Sequence, residues 1–362
     1  AMLHHAIAGR RLIAGHGEFG GGMGVDGLHC NAVQNGLCRL ALMLAAEIED
    51  EFGDGGAAGR HRVLAQQISE NMAELLTAPD GGWLWCVNAD TLQPNQAVLD
   101  AYWTRGFGGI EGVCCMQADV CGFDPLANGW MGLPACIRTH ERLANESYRR
   151  DLFSRLGMWP QFASPPYDRL TSPSYGQGYA IQSMLLLDRM DEAQRAIDYL
   201  AEATFAPPAG YRLRRESPYW FYERYLAPDF PDIDKFDEGC GALNTVNVSE
   251  PLKIARLIAG IDDTRSVPII IPRLPPSWQG FRARRWPLWT KAGVISVDID
   301  YQRNQTAERI DIVVCYGRSI PELTIFLGGP LRRHAYTMMD VSQLHLVHDK
   351  HANQGAEHAS AT

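Results

Sequence analysis

Hydrolysis of a glycosidic bond needs two carboxyl groups on either side of one linkage, an acid to protonate the leaving oxygen and a base or nucleophile opposite it. This chain offers such carboxyls in glycine- and aromatic-rich segments lying between apolar, periodic stretches: GHGEFGGGMGVDG, GGWLWCVNAD, GFGGIEGVCCMQADVCGFDP, TSPSYGQGYA and RRESPYWFYERYLAPD. The short list is Glu18, Asp26, Glu111, Asp119, Glu216, Glu223 and Glu238. Glu47, Glu49 and Glu70 sit on helical faces and read as solvated. Glu18 lies where small glycines let backbone approach a ligand, or else in a surface turn. Asp26 immediately precedes a helical pattern, which suits an N-cap as well as it suits catalysis. Glu223 stands among Tyr219, Trp220, Phe221, Tyr222 and Tyr225, where desolvation would tune its pKa, and Arg224 or Arg215 offers it an ion pair instead. Glu216 belongs to the same segment and is its rival.

Residues for gripping a sugar accompany them. Trp83 and Trp85 alternate with Leu84 and Cys86, so both face one way if the segment is extended, as a stacking platform or as core. Tyr175, Gln177 and Tyr179 offer hydroxyl and amide groups around two glycines, or cap the helix that follows. Tyr219, Trp220 and Glu111 complete the candidate substrate contacts, and His29 is either a general base or a structural hydrogen-bonder. The glycines of GEFGGGMG follow no predicted strand and lead to no Lys-Ser/Thr pair, so neither a phosphate loop nor a dinucleotide fingerprint is expected. Cys114, Cys115 and Cys121 lack zinc-ligand spacing, and no metal or cofactor is expected.

Bulk properties narrow the class. A formal charge of −9 speaks against nucleic acid or an anionic membrane as partner and leaves a neutral carbohydrate substrate open. Nine cysteines, odd in number and irregularly spaced, suit free thiols in a reducing compartment, and so a cytoplasmic protein, better than a disulfide framework. No apolar run is long enough for a membrane span, and the first residues show no cleavable signal.

The elements that must position these groups are mostly helical. Val33, Leu37, Leu40, Leu44 and Ile48 recur at helical spacing and predict one buried face; Leu64, Ile68, Met72 and Leu75 predict the second arm of a hairpin that closes at Pro79-Asp80-Gly81-Gly82. A further helix is predicted at 135–156, a pair over 179–190 and 192–205 with Asp191 as N-cap, and a last one from Ser249-Glu250-Pro251 to Gly260. After Asp263 the period changes to two. Strands are predicted at 267–271, 294–299, 310–315 and 323–327, with the linker IPRLPPSW between the first two. The division is therefore a helical domain over 1–263, a small antiparallel β domain over 264–330 and a polar, frayed tail over 331–362 whose histidines lack ligand spacing.

Taken in order, GHGEFGG, VDGLHCNAVQNGL, EFGDGGAAGRH, GGWLWC, YERYLAPD and DEGCGALNTVNVSEPL resemble the segments of the six-hairpin glycosidases, the (α/α)6 toroids that include trehalases, processing α-glucosidases and rhamnosidase-like enzymes. The trailing IPRLPPSWQGF is similar to the start of the β domain behind such toroids. Glu18-Phe19 replaces the Trp-Asp of the trehalase acid segment, so trehalase specificity is not implied. The resemblance implies a mainly α toroid of helical hairpins, Glu18 in the acid's place and Glu223 in the base's. It also implies an N-terminal half or partner chain completing the toroid, because too few helices are predicted here. Three functions follow as expectations: an inverting glycoside hydrolase, a polysaccharide lyase with Tyr179 or His29 as base, and a non-catalytic glycan-binding fragment.

Overall fold

The computed structural model describes residues 12–14, 29–84, 86–94, 135–138, 141, 170–171, 175–205, 225–226, 245–264, 266–329, 334–351 and 358–361. The chain separates into two compact units, one formed by 1–121, 125–183 and 195–251, the other by 122–124, 184–194 and 252–362.

In the first unit a short strand β1 (His29–Asn31) leads directly into helix α1 (Ala32–Phe52), and after a two-residue link into α2 (Gly55–Leu75). Asp54 caps α2, its side chain accepting from Gly56 N at 2.8 Å, while its own backbone N–H donates to the Glu49 carboxylate at 2.9 Å. Glu49 thus fastens the link rather than pointing idly to water. The buried stripe of α1 is Ala32, Asn35, Arg39, Leu42 and Ala46, one position round from the predicted face; Leu44 and Ile48 are 44% and 61% exposed. The helix forms as its period predicts, but a different stripe, in which Asn35 and Arg39 stand among Ala32, Leu42 and Ala46, takes the inward side. On α2 the predicted Ile68 and Met72 are buried, with Ala58 and Ala65 beside them. Strand β2 (Cys86–Asn88) pairs antiparallel with β1, His29 opposite Asn88.

Further along come β3 (Leu170–Thr171), α3 (Tyr175–Leu186), α4 (Met190–Phe205) and β4 (Tyr225–Leu226), with β3 and β4 paired antiparallel. Asp188 turns the chain between α3 and α4 at a φ of 59°, and Asp191 falls inside the first turn of α4 instead of capping it. Helix α5 (Thr245–Ala259) starts ahead of Pro251, which the sequence had placed in its first turn. It ends at Gly260, whose φ of 69° only glycine adopts without strain. Of the helix predicted at 135–156, residues 135–138 and 141 are helical and the rest lies outside the described residues.

The second unit is dominated by strands. A mixed sheet runs in the order β11-β10-β6-β5 and an antiparallel one in the order β13-β12-β9-β8-β7, where β5 is Ile261–Asp262, β6 Ile269–Ile270, β7 Gly280–Thr290, β8 Gly293–Arg303, β9 Ala307–Tyr316, β10 Ile320–Leu327, β11 His334–Val341, β12 Gln343–Asp349 and β13 His358–Ala361. Each sheet alternates. Ile295, Val297, Ile299 and Tyr301 of β8 are buried, as are Ile310 and Ile312 of β9, Leu323, Ile325 and Leu327 of β10, and Leu344 and Leu346 of β12. The sheets meet through Tyr336, whose hydroxyl lies 2.9 Å from His348 Nδ1. Burial, and the Glu308 carboxylate after it, push the Tyr301 phenol above its ordinary range, so it stays neutral.

Two expectations need correcting. The chain is not mainly α: among the described residues strands rival helices in extent, and no toroid of helical hairpins is seen, although α1 and α2 do pack together as a hairpin. Nor are residues after 331 a frayed coil throughout, since 334–341, 343–349 and 358–361 are strands. Both errors have one cause. Strands β7, β11 and β12 carry Arg, His and Met on their outer faces, and the polarity of those faces masks a period-two pattern whose inner face is apolar.

Candidate functional site

The described residues fix both ends of the glycine-rich segment that carries Glu18 and Asp26. At its start, Asn35 of α1 grips Ile13 twice: Ile13 N donates to Asn35 Oδ1 at 2.8 Å and Asn35 Nδ2 donates to Ile13 O at 3.0 Å. Leu12 beside it is fully buried, and the Cys30 thiol approaches the Leu12 carbonyl at 4.0 Å. At its end, β1 is locked to β2 by the pairs His29–Asn88, Cys30–Val87 and Asn31–Cys86. Asn35 is itself wholly buried, and an amide spends its two-sided hydrogen bonding on one backbone unit there as no apolar residue could. It was missed in the sequence. The available signal was a polar pair, Asn35 and Arg39, spaced by one turn inside an apolar helical stretch.

Trp83 is placed by the turn that follows α2. Asp80 Oδ1 accepts from Gly82 N at 2.9 Å, Gly81 has a φ of 85°, and Trp83 forms an antiparallel bridge with Thr77. Its indole is 3% exposed and donates through Nε1 to Cys136 Sγ at 3.4 Å. Trp83 is therefore core, not a stacking platform open to a ligand. His29 is likewise 1% exposed on β1, a structural histidine shielded from substrate. Tyr175, Gln177 and Tyr179 occupy the opening turns of α3. Glu18, Asp26, Trp85, Glu111, Asp119, Glu216, Tyr219, Trp220, Glu223 and Glu238 lie outside the described residues.

Hollows lined by described residues include two sizeable ones. One, of about 610 Å³, lies along α1 and α2 and is bordered by Arg39, Met43, Arg62, Gln66 and Glu70. Arg62 pairs with Asp50, whose carboxyl this bond holds below the usual range. The other, of about 770 Å³, opens at one end of the five-stranded sheet, lined among others by Phe281, Arg282, Asp300, Gln302 and Arg309. Phe281 stacks on Tyr301 at 5.6 Å between ring centres, and Arg282 pairs with Asp300 at 2.7 Å. Neither hollow combines a carboxyl pair with a cation-free approach, and no group of three or more His, Cys, Asp or Glu among the described residues could hold a metal ion. No described helix is long and apolar enough to cross a membrane.

No family model matches the chain, and no curated protein matches it. Among solved structures it is similar to the GH78 family rhamnosidase of Bacillus sp. GL1, with 14% identity and a TM-score of 0.44, over 83% of this chain and 27% of that one. It is also similar to the α-L-rhamnosidase from Dictyoglumus thermophilum, with 12% identity and a TM-score of 0.28, over 82% of this chain and 38% of that one. The chain thus spans well under half the length of either protein.

Proposed function

We propose that the chain takes part in glycoside hydrolysis, cleaving a glycosidic bond of an oligo- or polysaccharide by a two-carboxylate, inverting reaction. Glu18 serves as general acid and Glu223 as general base, with Asp26 and Glu216 as their respective rivals. Glu223 takes a proton from water as that water attacks the anomeric carbon, and Glu18 gives its proton to the departing glycosidic oxygen. The two carboxyls then stand about 6.5–9.5 Å apart to leave room for the water.

The observation that supports this reading best is that the described residues on either side of 15–28 are held, Ile13 by the Asn35 clamp and His29–Asn31 by the β1–β2 pairing. A catalytic acid has to be held to within roughly half an ångström of its working position. A segment with seven glycines can do so only if its ends are fixed. The order of the neighbouring segments supplies the class of chemistry. The burial of His29 takes away one base on which a lyase reading would depend.

The test is turnover of a panel of aryl glycosides, the α-L-rhamnoside of the two structural neighbours among them, by the wild-type chain and by Glu18→Gln and Glu223→Gln. Release of the aryl alcohol by the wild type, with a loss of more than about a hundredfold in either variant, supports the assignment; general acid–base groups are worth that much. Full activity in Glu223→Gln refutes it.

A further inference from the structure

The outer face of the five-stranded sheet carries aromatic rings that its fold does not use. Leu288 of β7 and Ile295 of β8 are buried, so their neighbours Trp289 and Val294, which are paired with each other, point the opposite way. Tyr316 of β9 is paired with Ser296, two residues along β8 from Val294, and shares that face. Trp289 is 62% exposed and Tyr316 80% exposed, with Val294 and Val313 at 47% and 43% close by. β7 and β9 are separated by β8 alone. Two strand spacings across and one two-residue step along put the backbones of Trp289 and Tyr316 roughly 12 Å apart. Large apolar side chains gathered on one sheet face, rather than scattered singly, are a mark of an interaction surface.

The rest of this face says which ligand. Arg284 pairs with Asp298 at 3.1 Å, Arg282 with Asp300 at 2.7 Å and Arg309 with Asp311 at 3.0 Å, all on the water-facing row of β7, β8 and β9. Each of these three arginines has an aspartate beside it. A polyanion or a polycation would therefore gain little here, whereas a ligand rich in hydroxyls finds both donors and acceptors already oriented. At the far end the row runs into the hollow of about 770 Å³ that Gln302 helps to line.

We propose that this face binds a neutral oligosaccharide laid across β8, its pyranose rings stacked on Trp289 and Tyr316 and its hydroxyls met by the adjoining end of the Arg–Asp row. Pyranose rings carry C–H groups on one face that pack on aromatic planes, and two such planes roughly 12 Å apart suit alternate rings of one glycan chain. The proposal rests on the glycan specificity proposed above but not on its carboxylates. It adds a binding site formed by residues other than the proposed carboxylates.

The experiment is affinity electrophoresis of the full chain through native gels containing hydroxyethylcellulose, xyloglucan or galactomannan. The wild type is expected to be retarded by at least one of them, Trp289→Ala and Tyr316→Ala each to bind it roughly tenfold more weakly, and Trp289→Phe to keep most of the retardation. Both side chains are exposed, so the variants should keep the wild-type melting temperature, which is measured alongside. The proposal is overturned if no polysaccharide retards the wild type, or if the Trp289→Ala/Tyr316→Ala double variant is retarded as the wild type is. It is overturned as well if the substitutions change only self-association in sedimentation, since the face would then be a contact between copies. Retardation without hydrolysis of any aryl glycoside would uphold this site and reject the hydrolase; hydrolysis without retardation would do the reverse.

Discussion

Asn35→Ala should loosen the root of the Glu18 segment and cost the first unit a measurable part of its stability. The substitution removes the 2.8 Å and 3.0 Å bonds to Ile13 from a fully buried position. Each is worth about 0.5–1.5 kcal/mol net, and the Ile13 backbone groups, which are only half-buried, can recover water and avoid the larger penalty for orphaned polar atoms. The expected loss is therefore about 2 kcal/mol, read as a fall in the urea midpoint at unchanged slope. Asn35→Asp keeps the acceptor for Ile13 N but turns a carboxylate oxygen on the Ile13 carbonyl, so it should be at least as damaging. Native-state hydrogen exchange gives the local reading: the Ile13 amide should exchange much faster in Asn35→Ala, while amides in β8 and β9 keep their protection. An unchanged urea midpoint together with unchanged protection of Ile13 would refute the clamp.

Other outcomes follow from the same geometry. Trp83→Ala should cost about 3–5 kcal/mol, as for a large buried aromatic, and Trp83→Phe less, mainly the Nε1 bond to Cys136; thermal denaturation by circular dichroism distinguishes the two. Gly260→Ala should cost more than about 3 kcal/mol or yield no folded chain, because its φ is 69° and an added Cβ would collide with the Ile271 carbonyl; expression yield and melting temperature report it. The backbone N–H of Arg285, at 2.8 Å, holds the Asp298 carboxyl below the usual carboxylate range, with Cys315 and Arg284 adding to the effect. Because the folded pKa is depressed, this stabilisation is complete above the unfolded value of about 3.9 and is lost as pH falls through the lower folded value. Asp298→Asn should accordingly flatten the acid side of a plot of melting temperature against pH below about 4; an identical acid limb would count against the interaction.

Much of the element pattern was legible because burial on one side imposes a period. The sequence placed α2 through Ile68 and Met72, β8 through Ile295, Val297 and Ile299, and the end of α5 at Gly260, and these residues are buried or strained as their types demand. Sequence could not say which stripe of α1 turns inward, since Leu44 and Ile48 are as apolar as Leu42 and only the packed neighbours choose. Edge strand β7 escaped notice for a different reason. An open edge has to avoid pairing with other chains, and β7 does so with Arg282, Arg284, Arg285, Pro287 and a bulge between Ala283 and Trp286, the features that make a segment look unlike a strand. In β12, Leu344, Leu346 and His348 point inward, and His348 is buried because Tyr336 bonds it. Scattered histidines alone gave no hint of that contact. The candidate site was legible only as residue types: of its side chains the described ones, Trp83 and His29, proved to be core. A buried tryptophan and a stacking tryptophan look alike in sequence, as do a buried and a catalytic histidine, because accessibility is a property of the packed neighbours.

The most direct test of the central claim is proton NMR of the first sugar released when the wild-type chain is mixed with a glycoside it cleaves. Appearance of the anomer opposite to that of the substrate, before mutarotation, is predicted, since a water activated by Glu223 attacks the face away from the leaving group. First release of the same anomer, or no release from any glycoside in the panel, would contradict it.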